Sequence, residues 1–250
     1  MKNWSPLAQK FIKDGKADDC PIIDIHAHMG NWTGIYFPYA EPEQMIERMD
    51  RAGIKHVVFS HHSGLASPDV LNKPAIDAVR KHKDRFTAYC AINPLYPELV
   101  EKELDSYDNL KDVYSGIKLH GDFHNVPYIH SSYESIWKFA NERELLVLIH
   151  SWDQSQNTNG DIVRKIASKY DRVRIMMGHS LHRNWDEAVK LVNEFDNLYL
   201  DLCAVLDERS GILEKFVENC GSEKVFFGTD IPWFGFHYYI GGVLAADITD

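Results

Sequence analysis

From Ile22 to Phe227 the chain alternates short apolar runs with longer stretches whose apolar residues recur every three or four positions. The apolar runs begin at Ile22 and His56 and near Phe86, Val113, Leu145, Val173, Leu198 and Val225, with successive starts 25 to 34 residues apart. That interval suits one strand, one helix and their loops. Pro42–Ala52, with Met45, Ile46 and Met49 on one face before Gly53, predicts a helix, as do Ile76–His82 and Ser132–Asn141. Leu145-Leu146-Val147-Leu148-Ile149 and Val173-Arg174-Ile175-Met176-Met177 are apolar nearly throughout, as parallel strands covered on both faces are. Eight such units predict an α/β fold, a (β/α)8 TIM barrel. A doubly wound open sheet shares the alternation without the closure.

At the amino end, Ser5-Pro6 caps a short predicted helix that stops at Asp14-Gly15. At the other end the pattern from Phe236 to Asp250 predicts no complete closing helix, so an irregular cap or a shortened chain is expected. No linker or low-complexity segment divides the sequence, which is read as one domain over residues 1–250.

A barrel concentrates its chemistry at the carboxyl ends of its strands. Seven of the 13 histidines (His26, His28, His61, His62, His120, His150 and His179) stand at or just beyond those predicted ends. In Asp24-Ile25-His26-Ala27-His28, alternate positions share a strand face, so His26 and His28 point the same way. Taken singly, His150 and His179 fit hydrogen-bonded core histidines, and Asp230 fits a turn cap. Converging at one mouth, these imidazoles and a carboxylate make a shell for a divalent cation with a position left for water. Lys118 shares a face with His120 and is read as an anchor for an anionic substrate or one half of a structural ion pair. Asp24, one alternate position below His26, suits either a carboxylate that orients an imidazole or a plain structural hydrogen bond. Trp32, Tyr36, Phe37, Trp152, Trp233 and Phe234 lie on loops at the same end, as an apolar wall or as loop packing.

His-x-His ending strand one, His150 ending strand five, His179 ending strand six and Asp230 ending strand eight resemble the amidohydrolase superfamily of metal-dependent hydrolases. Gly116-Ile117-Lys118-Leu119-His120 and Gly228-Thr229-Asp230-Ile231-Pro232-Trp233 are similar to its amidohydrolase-related branch, which also contains nonoxidative decarboxylases. The resemblance implies that His26, His28, His150 and Asp230 hold one metal, with Asp230 also accepting and returning a proton. It implies that His179 polarises a carbonyl or, in a two-metal variant, binds a second ion. Lys118 is carboxylated in some members; Lys118, His120, Trp32, Trp152 and Trp233 are the candidate substrate contacts. Zinc is the first choice for this ligand set, with manganese, iron or cobalt as alternatives, and one ion is favoured over two. The implied reaction is hydrolysis of an amide, ester or lactone by metal-bound hydroxide. The alternatives are decarboxylation of an aromatic or unsaturated acid, or ligand binding without turnover. Members often carry proline after the strand-four histidine and two glycines after the strand-six histidine, whereas this chain has Gly121 and Ser180-Leu181, and it lacks the usual Asn-Ala element.

Composition narrows the partners. With 27 Lys and Arg against 37 Asp and Glu, the net charge of −10 repels nucleic acid and anionic membrane surfaces. A small-molecule substrate is expected, and a homodimer is allowed. Cys20, Cys90, Cys203 and Cys220 form no CxxC pair and are read as reduced, mostly buried thiols. No signal-like or membrane-length apolar run is present, so a cytoplasmic location is expected.

Overall fold

The computed structural model describes residues 4–248. Eight parallel strands pair in sequence order: β1 (Ile22–Met29), β2 (Ile54–His61), β3 (Phe86–Ala91), β4 (Tyr114–Leu119), β5 (Leu146–Trp152), β6 (Arg174–His182), β7 (Leu198–Asp201) and β8 (Val225–Phe226). A helix follows each strand on the outside, as in a (β/α)8 barrel. The seam between β8 and β1 is closed by backbone bonds, Ile25 N–H to Phe227 O at 3.0 Å, Asp230 N–H to His26 O at 2.7 Å and His28 N–H to Ile231 O at 2.6 Å.

Alternation along the strands sorts the side chains into two cores. Ile117, Leu119, Val147, Ile149, Ile175 and Met177 face outward under the helices. Val58, Tyr89, Leu148 and Met176 fill the barrel interior, where the Tyr89 hydroxyl donates to Ile25 O at 2.8 Å. The parity that puts Leu148 inside also turns Lys118, His120 and His150 inward, at successively higher levels toward the mouth.

Strand starts at Phe86, Leu198 and Val225 agree with the apolar pattern, and Tyr114, Leu146 and Arg174 each begin one residue later than expected. The Pro42–Ala52 helix has the predicted bounds, and the amino-terminal helix spans Pro6–Asp14, with Ser5 Oγ accepting from Ala8 N–H. The expectation of no closing helix is corrected, because Phe236–Ala245 is helical. Gly241, Gly242 and the apolar residues around the whole helix hide its periodicity. Burial of Phe236, Tyr239 and Ile240 offsets the low propensity, and the helix packs on Pro6–Asp14 and Pro42–Ala52. Among the described residues, no helix is long and apolar enough to cross a membrane.

Candidate metal centre

At the carboxyl end of the barrel a cavity of about 450 Å³ is lined by His28, His62, Lys118, His120, His150, His179 and Asp230 below, and by Trp32, Trp152, Ala204, Trp233 and Phe234 around the rim. His26 lies fully buried beneath it. The ligand atoms of His26, His28 and Asp230 fall within 4.8 Å of one another. Asp230 Oδ1 is 3.1 Å from His28 Nε2 and 3.8 Å from His26 Nε2, yet it is buried and makes no hydrogen bond. A buried carboxyl oxygen facing two imidazoles without a donor is what a cation between them would satisfy.

The opposite side of the cavity repeats the pattern. His150 Nδ1 and His179 Nε2 are 3.1 Å apart, and the far edge of each ring is engaged elsewhere. His150 Nε2 lies 3.4 Å from Asp122 Oδ2, a carboxylate held by the hydroxyls of Ser155 and Thr158. His179 Nδ1 lies 3.0 Å from Cys203 Sγ. Burial, reinforced by the neighbouring imidazoles, pushes His28 and His150 well below the usual histidine range. Burial also takes His179 down to about 4 against the attraction of Asp230. Neutral rings of this kind offer lone pairs rather than charge. The residues present therefore fit a divalent metal. Three of the four implied ligands, His26, His28 and Asp230, come together; His150 shares the cavity but stands outside that tight group, beside His179.

His179 reaches this position against the strand parity. Met177 faces outward, so strict alternation would send His179 outward as well. A run of left-handed residues, His179, Ser180 and Leu181 with φ of 66°, 48° and 55°, turns it in. Glycine takes this conformation without strain; here hydrogen bonds hold it in other residues. Ser180 Oγ donates to Asp201 O at 2.7 Å and accepts from Asp201 N–H at 2.9 Å, and Leu181 N–H donates to Ser151 Oγ at 3.0 Å.

Of its two readings, Asp24 takes the plain structural hydrogen bond and not the orienting of an imidazole. Its carboxylate accepts from the backbone N–H of His26 and of Thr229, each at 3.1 Å, and from the Thr229 hydroxyl. It thus holds the β1–β8 seam, one layer too low to reach the ring. Burial raises its pKa to about 8 against these bonds. The carboxylate on the His26 ring is Asp201, 2.6 Å from Nδ1. Burial works against ionisation of Asp201, but His26, His179 and Cys203 outweigh it and hold the group down at about 2. Asp201, which the sequence reading does not name, ends β7 facing inward, at the kind of position where a barrel carries its chemistry.

The remaining candidates are also located. Lys118 is buried, with Nζ 3.1 Å from His26 Nε2, on the cavity floor rather than at its mouth. His120 stacks on His150 at 4.1 Å, and its Nδ1 accepts from Phe123 N–H, which leaves Nε2 as the protonated nitrogen of the neutral ring. Trp152 lies between His150 and His182, stacked on both. Trp32 packs on Phe123 and His62, and Phe37 on Trp233, so the loops pack on one another and wall the cavity at once. Tyr36, 76% exposed, is outside the wall.

A second set of donors, His26 Nδ1, His179 Nδ1, Asp201 Oδ2 and Cys203 Sγ, lies behind the two rings. Four of the separations among them, 2.6 to 3.0 Å, are hydrogen-bond contacts. Metal–nitrogen and metal–sulfur bonds of about 2.0 and 2.3 Å would hold tetrahedral donors further apart.

A sequence model of the amidohydrolase family matches residues 23–250. The chain belongs to this family. No curated protein matches it. Among solved structures, this amidohydrolase chain is similar to an uncharacterized TIM-barrel protein from Bordetella bronchiseptica, with a TM-score of 0.75, 15% identity and 92% of each chain covered. A dihydroxybenzoic acid decarboxylase from Polaromonas sp. JS666, with bound manganese and the inhibitor 2-nitroresorcinol, gives 0.69 at 17% identity, with 92% of each chain covered. A probable 2-pyrone-4,6-dicarboxylic acid hydrolase from Acinetobacter baumannii gives 0.62 at 15% identity, covering 90% of this chain and 91% of that one. At such identities the likeness establishes the shared fold.

Proposed function

We propose that the chain is a metal-dependent hydrolase of a small molecule with an amide, ester or lactone bond. The observation that carries this reading is the partnerless Asp230 Oδ1 on the cavity floor beside His28 and His26. His26, His28 and Asp230 would hold the cation, with His150 and His179 on the facing wall. When bound, a divalent metal lowers the pKa of water toward neutrality and polarises a carbonyl. Asp230 takes the proton of the attacking water and returns it to the leaving group. His120, protonated on Nε2, donates to a substrate oxygen, while Trp32, Trp152, Trp233 and Phe234 bind its apolar part and exclude bulk water. Among the described residues lining the cavity there is no arginine, and the lysine, Lys118, has its Nζ against His26, which suits a neutral carbonyl substrate better than an anionic one.

Nonoxidative decarboxylation is the second reading. The four aromatic side chains at the rim favour it, since they would also hold a planar acid, and the similar Polaromonas protein is a dihydroxybenzoic acid decarboxylase. Incubating zinc- and manganese-loaded protein with amides, esters, lactones and aromatic acids separates the two. Hydrolysis products without carbon dioxide are expected; carbon dioxide release from an acid would replace the first reading by the second.

A further inference from the structure

His26 and His179 stand on different strands, β1 and β6, yet one pair of residues lies behind both. Asp201 Oδ2 is 2.6 Å from His26 Nδ1, 3.1 Å from the backbone N–H of His179 and 2.7 Å from Cys203 Sγ. The thiol lies 3.0 Å from Nδ1 of His179 and 3.0 Å from Nδ1 of His26. All four side chains are buried.

With Asp201 ionised and Cys203 a thiol, one assignment of the protons satisfies these contacts together. An ionised carboxylate only accepts, so the Nδ1–H of His26 and the S–H of Cys203 both donate to Asp201 Oδ2. With its single proton spent there, Sγ accepts from the Nδ1–H of His179. Both imidazoles therefore carry their proton at the back and keep an accepting Nε2 on the cavity side, 3.1 Å from Lys118 Nζ for His26 and 3.1 Å from His150 Nδ1 for His179, the tautomer a metal-binding ring needs. Asp201 alone would not achieve this, because it reaches the backbone of His179 and not its ring; the thiol spans that gap. The carboxylate cannot swing away. Cys203 N–H donates to its Oδ1 at 3.3 Å, and a side chain at Gly228 would place a carbon 2.2 Å from the same oxygen.

We propose that Asp201 and Cys203 form one positioning unit that sets the tautomer and orientation of both His26 and His179, with the thiol acting as a hydrogen-bond relay rather than as a metal ligand. Its use to the enzyme rests on the metal-dependent reading; the proton placement does not.

Nitrogen-15 spectra of histidine-labelled, metal-free full-length protein at neutral pH test the placement directly. Both His26 and His179 are expected in the Nδ1–H form, and an Nε2–H form for either overturns the proposal. Zinc affinity by chelator competition tests the relay. Cys203→Ala is expected to weaken binding by about 10- to 100-fold, and Cys203→Ser, which still donates and accepts, to restore most of it. Asp201→Asn can present an N–H to His26 and is expected to shift that ring to the other tautomer. Unchanged affinity in Cys203→Ala, or a thiolate-to-metal charge-transfer band in the cobalt-loaded wild type, overturns the relay. Should the variants not fold, the wild-type spectra and the cobalt band still decide. A folded wild-type chain that binds no divalent cation overturns the metal-dependent function, while the metal-free spectra continue to judge the proton placement.

Discussion

Lys118 Nζ lies 3.1 Å from Nε2 of His26, so the lone pair that would meet a cation meets an amine. Burial lowers the lysine pKa, opposed by Asp230, Cys203 and Asp201. Two unit charges about 4 Å apart repel by roughly 4 kcal/mol at an effective dielectric of about 20, so an ammonium and a metal ion compete for this corner. Lys118→Met is expected to tighten zinc binding by about tenfold, read by chelator competition. Weaker binding would instead make Lys118 part of the metal shell, as a carboxylated lysine would be.

Asp230 combines two duties, and its amide retains neither well. Asp230→Asn is expected to lower kcat by about a hundredfold to ten-thousandfold at saturating metal, with the melting temperature of the metal-free protein nearly unchanged. Steady-state kinetics alongside metal analysis of the same samples checks this. Retained turnover would remove Asp230 from the proton-transfer role.

Metal binding should register as stability. Zinc at about a hundred times its dissociation constant adds about 2.7 kcal/mol, or roughly 5–10 °C in melting temperature for a chain of this size. A chelator is expected to abolish both the increment and the activity, and added metal to restore them. In the double variant His26→Ala, His28→Ala the increment should vanish.

His61 gives a pH dependence outside the metal group. Burial pulls its pKa from 6.5 to about 4. Between those values the unfolded chain binds more protons at this residue than the folded one, so its contribution to stability is full above pH 6.5 and lost as pH falls toward 4. Urea titrations across that window should show stability falling with acid, and His61→Gln should flatten the slope. Parallel curves would assign the acid sensitivity to other groups.

The barrel was legible because its apolar strands recur every 25 to 34 residues, a pattern carried by the order of residues along the chain. Lys118, His120 and His150 were legible for a related reason: with Ile117, Leu119 and Ile149 facing out, parity sends them in. His179 breaks that rule. Its inward turn depends on three left-handed residues held by Ser151, Ser180 and Asp201, contacts that join β5, β6 and β7 and leave no local trace in the sequence. Asp201-Leu202-Cys203 similarly looks like a turn until β7 is placed beside β1 and β6. The Phe236–Ala245 helix was missed because packing, not propensity, forms it.

The β1–β8 seam has a consequence for the order in which the protein matures. Asp230 N–H bonds to His26 O, and Gly228 fits against both the Asp201 carboxylate and the His26 side chain, with no room for a larger residue. Contacts joining residue 26 to residues 201 and 230 close long loops, 175 residues for the first of them, and such contacts are costly to form early. Cation affinity should therefore appear late in refolding, after most secondary structure, and serve as a clock for ring closure: a chain whose eighth strand has not docked can be rich in helix and still hold no metal.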